Sequence, residues 1–382
     1  MLNVKLSYIV LACAFLLGCD PNDVPRLSPD GKYIVLLDDL GKGGEKNLIQ
    51  VAILDMKSNR WTRHSLPEGW SANGVSWVDS KLLINALRPK KDEVPKGEPT
   101  HDMSCWLLNL DSGKFSETTL TPHIVLTPFV GKHKGSACLY FPDMKSKGTK
   151  ILSLQDLSEV EALPLELQGA GDGWFVHSLS KEGHKGVTKE SVGIDVFNQD
   201  GERVCQISAE EIAKACSRGV RFPQCVRISD DHKKLVLGFE TSTTFRKYPA
   251  EYTFGVFDLS IGKLLWRGDS NGLHGLPVMI GDAVFALEAK SRNRPAVEGM
   301  LRPTDESRSQ PTSEVVLARH TREGRSVVLG LPLQKGDLAA RYSTSPDRGT
   351  FVLLVEGENP RILLVPAHDR LEAKDVHDLP LK

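Results

Sequence analysis

A turn that feeds a strand, and then recurs, constrains this chain more than any other feature. Leu27-Ser28-Pro29-Asp30-Gly31-Lys32-Tyr33-Ile34-Val35-Leu36-Leu37 joins a Ser-Pro-Asp-Gly turn to an apolar run. Proline sets φ, aspartate can bond its own backbone, and glycine takes the positive φ that closes the turn. The run behind it is β-branched and aromatic, which suits a pleated surface. Degraded copies follow at Val75–Ile84, Val226–Leu237 and Ser343–Leu354. Their spacing is a multiple of roughly 50 residues, so the chain reads as an array of repeats.

Each period holds four short strands. The third and fourth are joined by polar or glycine turns: Lys57-Ser58-Asn59, Ser112-Gly113-Lys114, Asn198-Gln199-Asp200-Gly201 and Ser260-Ile261-Gly262-Lys263. Such turns between alternating apolar residues are hairpin signals. With 33 Gly and 22 Pro in 382 residues, long helices are broken up almost everywhere. The repeats divide as 25–68, 69–121, 122–166, 167–222, 223–270, 271–335 and 336–382. The expected fold is all-β: a seven-bladed β-propeller of four-stranded antiparallel blades, each sheet packing on its neighbours. One segment departs from the strand pattern. Ser208 and Glu211 form a capping box ahead of Ile212-Ala213-Lys214-Ala215, with Gly219 beyond, which predicts one short helical insertion between the fourth and fifth blades.

The N-terminus carries Lys5 and then Leu6–Leu17, nearly all apolar. Twelve such residues are too few to span a bilayer, which needs about 20; the pattern is that of a secretory signal peptide. It ends Leu16-Leu17-Gly18-Cys19, which resembles the bacterial lipobox. That resemblance implies an acylated Cys19 as first mature residue. The organisation it implies is a signal peptide over 1–18, a lipidated Cys and short tether over 19–24, and the propeller domain over 25–382. The implied location is the bacterial cell envelope, lipid-anchored on the periplasmic face of the inner or outer membrane or on the cell surface.

The repeats carry a second resemblance. Ser28-Pro29-Asp30-Gly31-Lys32-Tyr33-Ile34 is similar to the WD-repeat-like units of TolB-type propellers. Phe254-Gly255-Val256-Phe257-Asp258-Leu259, through Gly262-Lys263-Leu264-Leu265-Trp266, resembles the quinoprotein-type repeat in one blade. Both imply a propeller, a fold that hosts many activities.

Most motifs that carry chemistry are missing from the sequence. There is no His-Glu-x-x-His, no Cys-x-x-Cys and no Gly-x-x-x-x-Gly-Lys loop, and the expectation is no catalytic residue, metal or cofactor. The net charge of −1 offers nucleic acid no basic excess. The function expected is a binding or assembly module for a protein or ligand, without catalysis. The alternative is a propeller enzyme with a channel-bound site, quinoprotein-like or carbohydrate-active. Seven Cys are present. Cys13 lies in the signal peptide and Cys19 at the lipobox. Of the remaining five, Cys216 and Cys225 flank a short loop and form the candidate disulfide. Cys105 and Cys138 read as small core residues, and Cys205 competes for either partner.

Long polar connections fall between the second and third strands: Asp38–Lys46, Arg88–Asp102, Lys181–Ser191, Thr241–Glu251 and Lys290–Ser313. In propellers they share a face with the blade-to-blade connections. Those connections carry Trp70, His123, Trp174, Arg221, Phe222, His274 and Arg341, the candidate binding face. Trp70 and Trp174 are the first candidates for anchors, because tryptophan and arginine dominate binding hot spots. The partner expected there is another envelope protein or a glycan, in addition to the membrane held by the acyl chains.

Overall fold

A computed structural model describes residues 25–38, 49–78, 80–90, 101–122, 128–143, 148–163, 167–169, 174–179, 191–198, 202–216, 225–229, 231–240, 250–272, 277–289, 314–331, 333–334, 337–345, 349–356 and 359–381. The signal peptide and Cys19 lie outside these residues. No helix among them is long and apolar enough to cross a membrane.

Consecutive strands pair antiparallel, four at a time, in two compact units. The first unit takes in Pro21–Leu167. It contains β1–β4 (Arg26–Leu27, Tyr33–Asp38, Gln50–Asp55, Arg60–His64), β5–β8 (Ser71–Val78, Lys81–Pro89, His101–Asn109, Lys114–Glu117) and β9–β12 (Phe129–His133, Ser136–Asp143, Gly148–Ser153, Glu159–Leu163). The second takes in Gln168–Thr344 and Arg348–Leu381. It holds β13–β16 (Gln168–Gly169, Trp174–Leu179, Ser191–Phe197, Arg203–Ser208), then helix α1 (Ala209–Ala215). After the helix come β17–β20 (Cys225–Ile228, Lys234–Glu240, Ala250–Asp258, Lys263–Gly272), β21–β24 (Val278–Ile280, Ala283–Ala289, Val315–Thr321, Gly324–Gly330) and β25–β28 (Leu338–Thr344, Thr350–Glu356, Arg361–Pro366, His377–Pro380).

These are the four-stranded antiparallel blades of a β-propeller. The expected segments match sets of four strands, but the expected count of seven separate blades is corrected: the described residues form six sheets, five of four strands and one of eight. β20 is ten residues long, and its last residue, Gly272, pairs on one side with Ala250 of β19 and on the other with Glu288 of β22, which joins β17–β20 to β21–β24.

The recurring turn explains how each set starts. In the first copy Ser28 Oγ donates to Asp30 Oδ1 at 2.7 Å, the Tyr33 amide donates to Ser28 Oγ at 2.9 Å, and the Lys32 amide donates to Asp30 Oδ1 at 3.2 Å. In the copy at 229–234 Ser229, Asp231, Lys233 and Lys234 make the same three bonds at 2.6, 2.9 and 3.1 Å. Gly31 and His232 occupy the matching position at φ +70° and +57°. The Lys32 and Ser28 hydrogen bonds hold the Asp30 carboxyl down at about 2.

Second and third strands are buried on both faces, because each sheet is covered by its neighbours. In the first unit Val35, Leu37, Val51 and Ile53 of the first set pack with Ala72, Val75, Leu82, Ile84 and Leu108 of the second. In the second unit Phe285, Leu287 and Leu317 pack with Phe351, Leu353 and Leu363. Burying each such side chain contributes about 1.5–3 kcal/mol. The fourth strands β4, β8, β12 and β24 are largely exposed. Helix α1 is part of this core. Ser208 caps it by accepting from the Glu211 amide. Its Ile212 and Ala215 pack among Ile194, Ile207, Leu235 and Phe257.

Cys105, Cys138, Cys205 and Cys216 are buried free thiols. Burial pushes the Cys138 thiol up to about 11. Cys216 therefore carries a thiol here and not the expected bond to Cys225; it is the C-cap of α1, turned into the core, while the Cys225 side chain lies outside the described residues.

Candidate binding face and the polar groups beneath it

Connections between second and third strands leave each blade at the same end as the connections between sets. The strand bounds place 39–49, 90–100, 180–190, 241–249 and 290–314 there, as the sequence implies. The groups at their bases are described and differ between the two units.

In the first unit the base of 90–100 is built around Trp70. Pro67 and Gly69 form the turn before it, with the Trp70 amide donating to the Pro67 carbonyl at 3.1 Å and Gly69 at φ +84°. The turn tips the indole inward. Trp70 is 7% exposed, meets Trp106 edge-on at 6.1 Å, and belongs to the core between the first two sheets. Arg88, near the end of β6, lays its guanidinium over the indole, 4.6 Å from the ring centroid. Its Nη2 donates to Asp102 Oδ2 at 3.0 Å, at the start of β7. A Cβ on Gly69 would meet Arg88 Cδ at 3.4 Å, an ordinary contact, so it is the positive φ and not the arginine stem that calls for glycine here. Trp70 as a solvent-facing anchor is thereby corrected: it is the floor of the site. The Arg88 and Asp102 side chains, 43% and 41% exposed, are what the face presents.

In the second unit a buried ionic network runs from the base of 290–314 along the sheet toward the β23–β24 turn. Glu288, second from the end of β22, has 0% exposure. Its Oε1 lies 2.6 Å from His320 Nε2, and its Oε2 accepts from Arg325 Nε at 2.9 Å. Burial pushes the Glu288 carboxyl up, but the His320 hydrogen bond and the His320 and Arg325 charges outweigh this and hold it below the usual range. His320 rests edge-on against Phe254, ring centroids 5.0 Å apart. The three consecutive strands β22, β23 and β24 are tied together here, and a carboxylate this enclosed is closed to substrate. In the last set Arg361, 5% exposed, pairs with Asp337 Oδ2 at 2.6 Å and with Asp378 Oδ2 at 2.9 Å. Among the described residues no group of three or more His, Cys, Asp or Glu is placed to hold a metal ion.

Of the other sequence candidates, Trp174 opens β14 and Arg341 lies within β25, as placed backbone only; His123, Arg221, Phe222 and His274 fall outside the described residues. No two candidate face residues are shown in contact. Sequence reasoning missed Arg88 and Asp102 as a pair, and Glu288, His320 and Arg325 entirely. The first pair could have been found as the opposite charges that bound the loop 90–100. The second carries no local signal, since its members come from three strands.

No family model and no curated protein matches the chain. Among solved structures it is similar to one described as "Crystal Structure of Mitotic Checkpoint Complex", at 9% identity and a TM-score of 0.52, covering 93% of this chain and 88% of that one. It is also similar to "Structure of Dos1 propeller" at 9% identity and 0.48, covering 94% and 99%. A third likeness is to "Dihydro-heme d1 dehydrogenase NirN in complex with DHE" at 14% and 0.46, covering 96% and 66%. At such identities the first likeness shows a shared fold and nothing of activity.

Proposed function

We propose that this protein is a lipid-anchored binding or assembly module of the bacterial cell envelope, held by acyl chains on Cys19 and engaging its partner through the loop face. The observation that carries the reading is the distribution of the connections. Five of the seven joins between second and third strands run to nine residues or more, the longest being 290–314, and there they extend one end of a blade without disturbing its sheet; loops on a rigid scaffold are where recognition is usually placed. The Arg88–Asp102 pair stands at the base of one of them and buried Glu288 at the base of another. Both charge signs stand at this face, which suits a protein or glycan partner better than nucleic acid. Acyl chains at about 0.8 kcal/mol per buried CH₂ would make the attachment effectively permanent.

The test has two arms. Cys19→Ala should move the protein from the membrane fraction to a soluble or uncleaved form; membrane retention after clean cleavage overturns the anchor. Replacing 291–312 by a short Gly/Ser linker should leave the melting transition nearly unchanged and abolish the partner that co-purifies from solubilised membranes. Full co-purification by the shortened protein overturns the loop-face reading.

A further inference from the structure

Arg26 stands in β1, two residues ahead of the Ser28 turn, paired across the sheet with Val35. Its backbone is held, since its carbonyl accepts from Trp77 Nε1 at 3.4 Å. Its side chain is not: Nε and Nη2 are both buried and neither has a hydrogen-bond partner. The side chain as a whole is half-buried; an arginine keeps its charge in a protein, and buried donors left without an acceptor are unfavourable. The two orphaned atoms are also a particular pair. Nε–H and the outer Nη2–H point the same way, forming the edge that grips a carboxylate or phosphate with two parallel hydrogen bonds.

A second copy of the repeat shows this register position with a partner in place. Arg227 stands two residues ahead of Ser229 and pairs with Val236, as Arg26 pairs with Val35. Its Nη2 donates to Thr344 Oγ1 at 3.3 Å. Thr344 belongs to β25, the first strand of a set that lies beyond the neighbouring one. An arginine in this register therefore reaches past its own sheet toward other first strands, and for Arg26 no described residue supplies the acceptor.

We propose that Arg26 is an anion site, binding a carboxylate or phosphate group of a small ligand through its Nε–Nη2 edge. The occupant replaces the missing acceptor and neutralises the charge. Binding to the folded state alone raises the unfolding temperature as the ligand is added.

The experiment follows thermal unfolding of the full chain in chloride buffer, titrated at constant ionic strength with sodium phosphate in one arm and sodium acetate in the other. The wild type should gain several degrees in at least one arm, and the responding arm distinguishes a phosphate from a carboxylate ligand. Arg26→Met should lose that response and, in chloride alone, melt at or above the wild type, since it removes two buried donors that have no acceptor. Arg26→Lys should weaken the apparent affinity by about tenfold or more, because an ammonium cannot make the paired bonds. Arg60→Gln, exposed at the start of β4, should respond as the wild type does. No response in either arm, or an equal response from Arg26→Met, overturns the proposal. If Arg26→Met fails to fold, Arg26→Gln takes its place with the same criteria.

Discussion

Replacing Glu211 with alanine asks how firmly the helix fastens the sheet beside it. The ladder between β19 and β20 slips at Leu265: Phe257 faces Leu264, but Val256 faces Trp266. A bulge of this kind leaves a ladder group unpaired, and here the Leu264 amide donates instead to Glu211 Oε2 at 3.0 Å. The same carboxylate accepts from Lys263 Nζ at 3.2 Å and from Lys214 Nζ. Glu211 is 4% exposed, whereas the two lysine side chains are 59% and 60% exposed. The bond to the backbone is charge-assisted and contributes about 1.5–3 kcal/mol; the lysine pairs, open to water, add at most about 1. A loss of about 2–3 kcal/mol is expected, which at 1.4 kcal/mol per tenfold is a roughly 30- to 140-fold loss of protection at the Leu264 amide in hydrogen exchange. The pH dependence has a definite sign. The Leu264 amide, then Lys214, hold the Glu211 carboxyl down at about 2, from an ordinary 4.5. The stabilisation is therefore fully present above 4.5 and lost as pH falls toward 2. The alanine variant should lack this acid-dependent loss. Equal Leu264 protection in the two proteins, or the same acid profile, would refute the reasoning.

Trp70→Ala should cost about 3–5 kcal/mol in denaturant unfolding, since it empties a core site under Arg88; an unchanged midpoint would return Trp70 to the role of a surface anchor. Glu288→Ala strips the carboxylate from His320 and Arg325 and should cost a similar ~3–5 kcal/mol. In that case Glu288→Gln, which keeps the acceptor for His320, should fall between the alanine variant and the wild type in thermal melts. Indistinguishable melts for all three would show that the network contributes nothing.

Much of the fold was legible because its determinants are contiguous. Ser28, Asp30 and Gly31 make their turn from bonds within five residues, and Ser229, Asp231 and His232 repeat it, so the period and the strand starts could be read directly. The capping box at Ser208 and Glu211 located the helix for the same reason. The role of that helix was not legible: Glu211 does its bonding to Leu264, which the sequence places far downstream.

The sequence by itself determined an array of four-stranded antiparallel sets, their boundaries, and the end of each blade that carries the long connections. Those are properties of turn chemistry and of alternating burial along short segments. Only the tertiary structure decided that two sets join through Gly272 and Glu288, because that depends on where the end of β20 meets β22. It alone decided that Trp70 is a floor and not an anchor, because an indole is buried or exposed according to what folds over it, here Arg88. It alone paired Glu288 with His320 and left the Arg26 fork without an acceptor. Burial and charge compensation depend on which remote segments arrive at a side chain, and no local pattern records that.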